Sequence, residues 1–170
     1  MSFVKKIVRI FDLISIGSGK IFSWVLVILL SLSIYEVFTR RILGSPTIWT
    51  HEILKFALAA SIMFALGYTH YYEGHVNVDL FYMKFSPKAR AVIDIVTFVP
   101  FIGLFCYVFL IEGWEFFMTS FLLRERTSSA FNVIVYPVKF FVPAGGFLLT
   151  IAALSTLLKN IYFVVKGEKL

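Results

Sequence analysis

What this sequence lacks narrows its class quickly. It has one cysteine, Cys106, so no internal disulfide can staple it, and Cys106 lies in an apolar run that says nothing of redox compartment. Ten Gly and five Pro are too few for a collagen-like repeat or a low-complexity chain. Only 15% of residues are charged, against ~25% in a typical soluble protein. There is no nucleophile–base pair and no Gly-rich phosphate loop; Gly17-Ser18-Gly19 reads as a hinge before an apolar run. His51-Glu52 has no second histidine at helical spacing, so it is no zinc motif. These absences argue against an enzyme and predict no catalytic, cofactor, metal or substrate site in this chain. No basic patch with interleaved aromatics lies on a soluble segment, which argues against a nucleic-acid partner.

What is present is apolar. Hydrophobic residues make up 59% of 170, above the ~45–50% of soluble domains. Four runs reach the ~17–25 residues a bilayer crossing needs. They lie at about 21–39, 53–72, 91–119 and 140–165. The sequence therefore predicts an all-α integral membrane protein, one four-span unit over residues 1–170, with the longer runs tilted or extending past the hydrocarbon. Before the first span, Phe3, Ile7, Ile10, Phe11 and Ile14 recur at helical spacing with Lys5, Lys6, Arg9 and Asp12 between them. Residues 3–16 thus read as an interfacial amphipathic helix, separated from the span by Gly17-Ser18-Gly19. A cleaved signal peptide fits less well, because the run is too long for an h-region and ends in Arg40-Arg41.

Punctuation agrees with four helices. Ser45-Pro46 and Ser86-Pro87 each offer an N-cap and a first-turn proline, before spans two and three. Gly74 stands where a C-terminal cap belongs. Pro100 inside span three and Pro143 early in span four each remove a backbone donor and should kink or offset the helix. Small residues on span two (Ala57, Ala59, Ala60, Ser61, Ala65) and span four (Ala144, Gly145, Gly146, Ala152, Ala153) allow close helix approach, as expected of a chain that packs against a larger partner.

Orientation follows from Lys and Arg. The tail (Lys5, Lys6, Arg9, Lys20), the loop after span two (Lys84, Lys88, Arg90) and the C-terminal end (Lys159, Lys166, Lys169) carry ten. The other side carries six: Arg40, Arg41, Lys55, Arg124, Arg126 and Lys139. The richer side is expected to be cytoplasmic, with both termini inside. Tyr35, Trp49, Trp114 and Tyr136 fall at the outer interface, where amphipathic rings are enriched.

Ionisable groups within spans ask for partners, since each costs roughly 2.5–3.5 kcal/mol at the centre. Glu36 and Arg40 are four apart in the favourable order. Glu112 and Glu115 share a helix face and call for a cation between them, Lys55 or Arg40, unless these groups simply snorkel to the interface. The histidines do not face one another at matching depth, so a haem-binding electron-transfer subunit is the weaker alternative. A self-assembling channel would need a polar stripe at mid-depth, and none is present.

The stretch Glu36 to Glu52 resembles the small membrane subunit (DctQ type) of tripartite ATP-independent periplasmic, or TRAP, transporters. Arg40, Gly44, Pro46, Trp49 and Glu52 match that family's pattern in order and spacing. Gly74-His75-Val76-Asn77-Val78-Asp79 is similar to its motif after span two, with Asn77 where arginine is frequent. Ser86-Pro87-Lys88-Ala89-Arg90 and Pro143-Ala144-Gly145-Gly146-Phe147 look like family features too. The resemblance implies a heteromeric system in the bacterial inner membrane. A periplasmic substrate-binding protein captures an organic acid, a large multi-span subunit moves it, and sodium acts in that large subunit. The small subunit would scaffold the large one and help dock the binding protein. Interface or docking candidates are Arg40, Arg41, Trp49, Glu52, Lys55, Arg124 and Arg126; Gly44, Pro46, Gly74, His75, Asp79, Pro143 and Gly145 are structural motif positions. Trp49 also fits an interfacial anchor, Glu52 a helix-dipole partner, and His75 and Asp79 either order the inner loop or contact the partner.

Overall fold

The computed structural model describes residues 2–72 and 85–168. Four helices are long and apolar enough to cross a membrane: α1 (Ser2–Arg41), α2 (Thr50–Tyr71), α3 (Pro87–Leu122) and α4 (Tyr136–Lys166). Among the described residues there is no strand, only an isolated antiparallel bridge between Arg126 and Ile134. The all-α, four-span architecture expected from the apolar runs is the one observed. The motif positions Gly74, His75 and Asp79 lie outside the described residues.

The first helix departs from expectation. Gly17-Ser18-Gly19 does not break it: α1 is one element of 40 residues, about 60 Å long at ~1.5 Å per residue. Ser15 and Ser18 donate their hydroxyls to the carbonyls of Phe11 and Ser15, both at 3.0 Å, so these polar groups are satisfied without leaving the helix. Gly19 is a contact point and not a hinge, because a Cβ there would overlap the Tyr68 ring of α2. The N-terminal third of α1 also belongs to the bundle. Val8 and Ser15 are buried, and the Asp12 carboxylate accepts from Ser155 Oγ at 2.6 Å and Lys159 Nζ at 2.8 Å, both on α4.

Helix α4 is the hub. It packs against each of the other three helices, while α1 pairs with α2 and α3 leans mainly on α4. Lipid tails are as apolar as side chains, so helices associate through close van der Waals contact and not through exclusion of water. The glycines supply that contact. A Cβ on Gly145 would stand 2.5 Å from the Met63 carbonyl oxygen of α2, and one on Gly67 would stand 2.8 Å from that of Leu148 on α4. Gly113 of α3 sits equally tightly against Val142 and Pro143. Ala60, Ser61, Gly145, Gly146, Ala152 and Ala153 are buried inside the chain. These small residues, expected to meet a partner, close the bundle on itself, while Ala57, Ala59, Ala65 and Ala144 stay partly exposed. A cluster of Cys106, Leu149 and Ala153, with Leu66 and Phe109 against it, joins α2, α3 and α4. Large apolar side chains such as Leu30, Ile34 and Leu104 face outward, as a lipid-bathed surface requires.

Two other local expectations resolve differently. Ser86 caps α3 by accepting from the Ala89 N–H at 3.3 Å, with Pro87 in the first turn. Ser45-Pro46 does not open α2, which starts at Thr50 behind Trp49 with no side-chain cap. Gly44 turns the chain with φ +62°, and the Ser45 N–H reaches back to the Thr39 carbonyl at 3.1 Å. Ser45 and Pro46 are thereby used in the turn. In α3, the prolyl nitrogen of Pro100 is accommodated by wider π-helical turns at Phe98–Gly103, and a second such segment spans Val108–Glu112.

The glycines separate by substitution. Gly145→Leu should destabilise the bundle by about 1–3 kcal/mol through overpacking. Gly17 has open space where its Cβ would be and lies within a helix, so Gly17→Ala should stabilise by roughly 0.5–1 kcal/mol. Thermal unfolding in detergent followed by circular dichroism reads both, and a loss of stability in Gly17→Ala would revive the hinge.

Candidate functional site

Among the described residues charge is confined to the two ends of the bundle: no Asp, Glu, Lys or Arg occurs at 21–35, 56–69, 95–111 or 140–158. One end, the rim, gathers the α1–α2 turn and the α3–α4 loop. Its centre is Glu36, 9% exposed, on the last turns of α1. Arg40 donates to Glu36 Oε1 from Nη2 at 2.6 Å and from Nε at 3.2 Å. The Thr47 hydroxyl donates to Oε2 and also meets the hydroxyl of the fully buried Thr50 at the start of α2. Both carboxylate oxygens are thus satisfied, which removes most of the cost of holding an acid near a membrane span. The expected Glu36–Arg40 pair is present. Thr47 and Thr50, which lock it to the next helix, were not foreseen; their spacing of three across the turn was the available signal.

The other candidates fall around this corner. Trp49 is half-buried with its ring centroid 6.1 Å from that of Tyr35. Glu52 is buried in the first turn of α2, where the helix dipole favours an acid. Arg41, Lys55, Glu112 and Glu115 are exposed. Among the described residues no ion pair joins Lys55, Glu112 or Glu115. The expected bridging of the two glutamates by Lys55 or Arg40 is therefore absent, because Arg40 is turned toward Glu36. Pro143 and Gly145 are buried in packing, and Gly44 and Pro46 are exposed in the turn.

The α3–α4 loop is ordered by its own backbone. The Thr127 N–H donates to Val133 at 2.8 Å and the Val135 N–H to Glu125 at 3.0 Å, around the Arg126–Ile134 bridge. The Glu125 carboxylate receives Lys139 Nζ at 2.5 Å, and the same ammonium stands 4.0 Å from the Phe116 ring centre. That donation holds the Glu125 carboxyl below its ordinary 4.5. Arg126 gives Nη1 to the Asn132 carbonyl at 3.1 Å, while Arg124 adopts φ +47°. The two arginines line a pocket of about 530 Å³ with Phe121, Leu122, Ile134 and Tyr136. A second, apolar cleft of similar size lies between Phe64, Trp114, Phe140, Phe147 and Leu148.

The opposite end holds a polar cluster that periodicity did not reveal. Besides the Asp12–Ser155–Lys159 contacts, Asn160 Nδ2 donates to Asp94 at 3.2 Å and Lys159 Nζ lies 4.9 Å from the Tyr71 ring centre. Its trace in the sequence was Asp12, the one acid in the amphipathic stretch 3–16. Among the described residues no group of three or more His, Cys, Asp or Glu side chains converges. His51 and His70 stand in the first and last turns of α2.

Together these features define a multi-span membrane protein whose interior is sealed by glycine contacts and whose charges mark its two ends. Residues 29–162 match the family described as tripartite ATP-independent periplasmic transporters, DctQ component, and the chain belongs to that family. The match runs from within α1 through the rim corner, α2 and α3 to nearly the end of α4. No curated protein and no solved structure matches the chain.

Glu125 supplies a pH test. Its folded carboxyl titrates below the ordinary 4.5, so its stabilisation is complete above that value and is lost as pH falls through the folded one. The melting temperature should drop between pH ~6 and pH ~3, and Glu125→Gln should shrink that drop. An identical drop in both proteins would show that the Lys139 contact contributes nothing.

Proposed function

We propose that this chain scaffolds the large membrane subunit of a TRAP transporter and helps seat the soluble binding protein on it. The observation that carries this reading is the separation of charge from the interior. Mid-span segments free of charged residues, packed through glycine and alanine, offer a rigid wall without a polar route through it. The family match supports the rest of the reading, a tripartite system in which this chain works with a large membrane subunit and a binding protein. On this reading the assembly sits in the bacterial inner membrane with both termini of this chain inside. The solute is an organic acid, and sodium coupling resides in the large subunit.

The rim faces the periplasm in this arrangement. Arg40 is held on Glu36, which leaves Arg41 and Lys55 as exposed cations of the α1–α2 corner with no ion pair among the described residues. A basic rim raises the encounter rate with an acidic partner and sets its orientation more than it adds affinity.

Two measurements test the two roles. Co-expressed subunits should leave the membrane together in mild detergent, and omission of this chain should cost the large subunit its stability and uptake; a large subunit fully active alone would end the scaffolding reading. Arg41→Glu should lower uptake by about two- to tenfold at low salt, with the gap closing as ionic strength rises and assembly unchanged. Uptake indifferent to the charge reversal at every salt concentration would remove the docking role.

A further inference from the structure

We propose that the pocket flanked by Arg124 and Arg126 is a phospholipid site that holds the phosphodiester of a membrane lipid between the two guanidiniums, with the lipid's first methylenes against Phe121 and Leu122. The pocket lies immediately past the last residue of α3, Leu122, and at the first residue of α4, Tyr136. That is the depth at which headgroups meet a spanning helix. Its volume, about 530 Å³, falls within the ~300–1,000 Å³ of small-molecule sites.

The lining is amphipathic in the sense a lipid requires. Phe121, Leu122 and Ile134 give an apolar floor, and Tyr136 stands edge-on to Phe121 with ring centres 5.2 Å apart. Leu122 is 74% exposed and continues this floor onto the outer face of α3. Above it stand the two cations Arg124 and Arg126. Among the described residues neither Arg124 nor Arg126 has an ion-pair partner. The acid between them, Glu125, is taken by Lys139.

The loop tethers one of the two side chains and sets the backbone of the other. Arg126 spends one N–H on the Asn132 carbonyl, which fixes its guanidinium and leaves four donors free. Arg124 is held at φ +47°, a left-handed conformation uncommon for a non-glycine residue. Two guanidiniums, that of Arg126 tethered, over an apolar floor match a phosphate ester with an acyl tail better than they match solvent, since arginine binds phosphate through paired N–H donors. The inference depends on the chain lying in a membrane and is independent of its role in transport.

The test uses the full-length chain, delipidated in mild detergent and titrated with palmitoyl-oleoyl phosphatidylglycerol under native mass spectrometry. Wild type should retain one lipid that R124Q/R126Q binds roughly tenfold more weakly or worse. K88Q/K166Q, with the same charge change at the opposite end, should bind within about threefold of wild type. R124K/R126K should recover part of the affinity, which separates lost charge from a damaged loop. Dioleoylglycerol, which lacks phosphate, should not be retained, and inorganic phosphate in millimolar excess should not displace the lipid. Equal affinity in wild type and R124Q/R126Q, or equal losses in the two glutamine pairs, would overturn the site. Displacement by inorganic phosphate would reassign it to a free anion. Loss of binding-protein affinity in R124Q/R126Q when no lipid is present would reassign it to a protein contact.

Discussion

Where Gly145 meets the Met63 carbonyl, α2 and α4 come together backbone to backbone, and the rest of the bundle depends on that approach. In lipid there is no water to expel from between two helices, so contact area must come from proximity. A single Cβ at this point would force the two axes apart. α4 could then no longer present Gly146 and Leu149 to α3, or Ser155 and Lys159 to α1. The buried fraction of each helix follows the same logic. In the most apolar stretch of α4 44% of the residues are buried, whereas in that of α1 none is. The hub is shielded by its neighbours, and α1 and α3 carry the lipid-facing surface.

Polar locks complete what the glycines begin. The Glu36–Arg40–Thr47–Thr50 corner ties α1 to α2 at the rim, and Asp12 with Ser155 and Lys159 ties α1 to α4 at the other end. Each lock satisfies a carboxylate with more than one donor, as a low-dielectric setting demands. α1 is therefore pinned near both ends, and between them Gly19 and Phe22 rest against Tyr68 and Phe64 of α2.

Much of this was legible in the amino acids. The four apolar runs located the spans, Ser86-Pro87 announced the start of α3, and the spacing of Glu36 and Arg40 foretold their pair. The order Arg40, Gly44, Pro46, Trp49, Glu52 pointed to the family that the match over 29–162 establishes. What escaped was tertiary. Gly17-Ser18-Gly19 carries the composition of a hinge, and only the Tyr68 ring against Gly19 explains why the helix continues. Asp12 looked like the polar side of a surface helix, because its partners lie 143 and 147 residues away. Ser45-Pro46 had the chemistry of a cap but was claimed by the turn that Gly44 makes. In each case local propensity was outweighed by a contact from another helix.

The π-helical segments of α3 bear on how this protein tolerates changes of length. A turn closed by i→i+5 bonds holds one residue more than the α-helical ladder needs, and α3 has two such segments, Phe98–Gly103 and Val108–Glu112. Each is a place where a one-residue deletion can be absorbed by tightening the coil, without rotating Gly113 away from Val142 or Phe98 away from the core. The same deletion in the unbroken α-helix of α1 would swing every side chain beyond it by about 100° and part Asp12 from Lys159. Indels among relatives of this chain should therefore gather in its third span and spare its first.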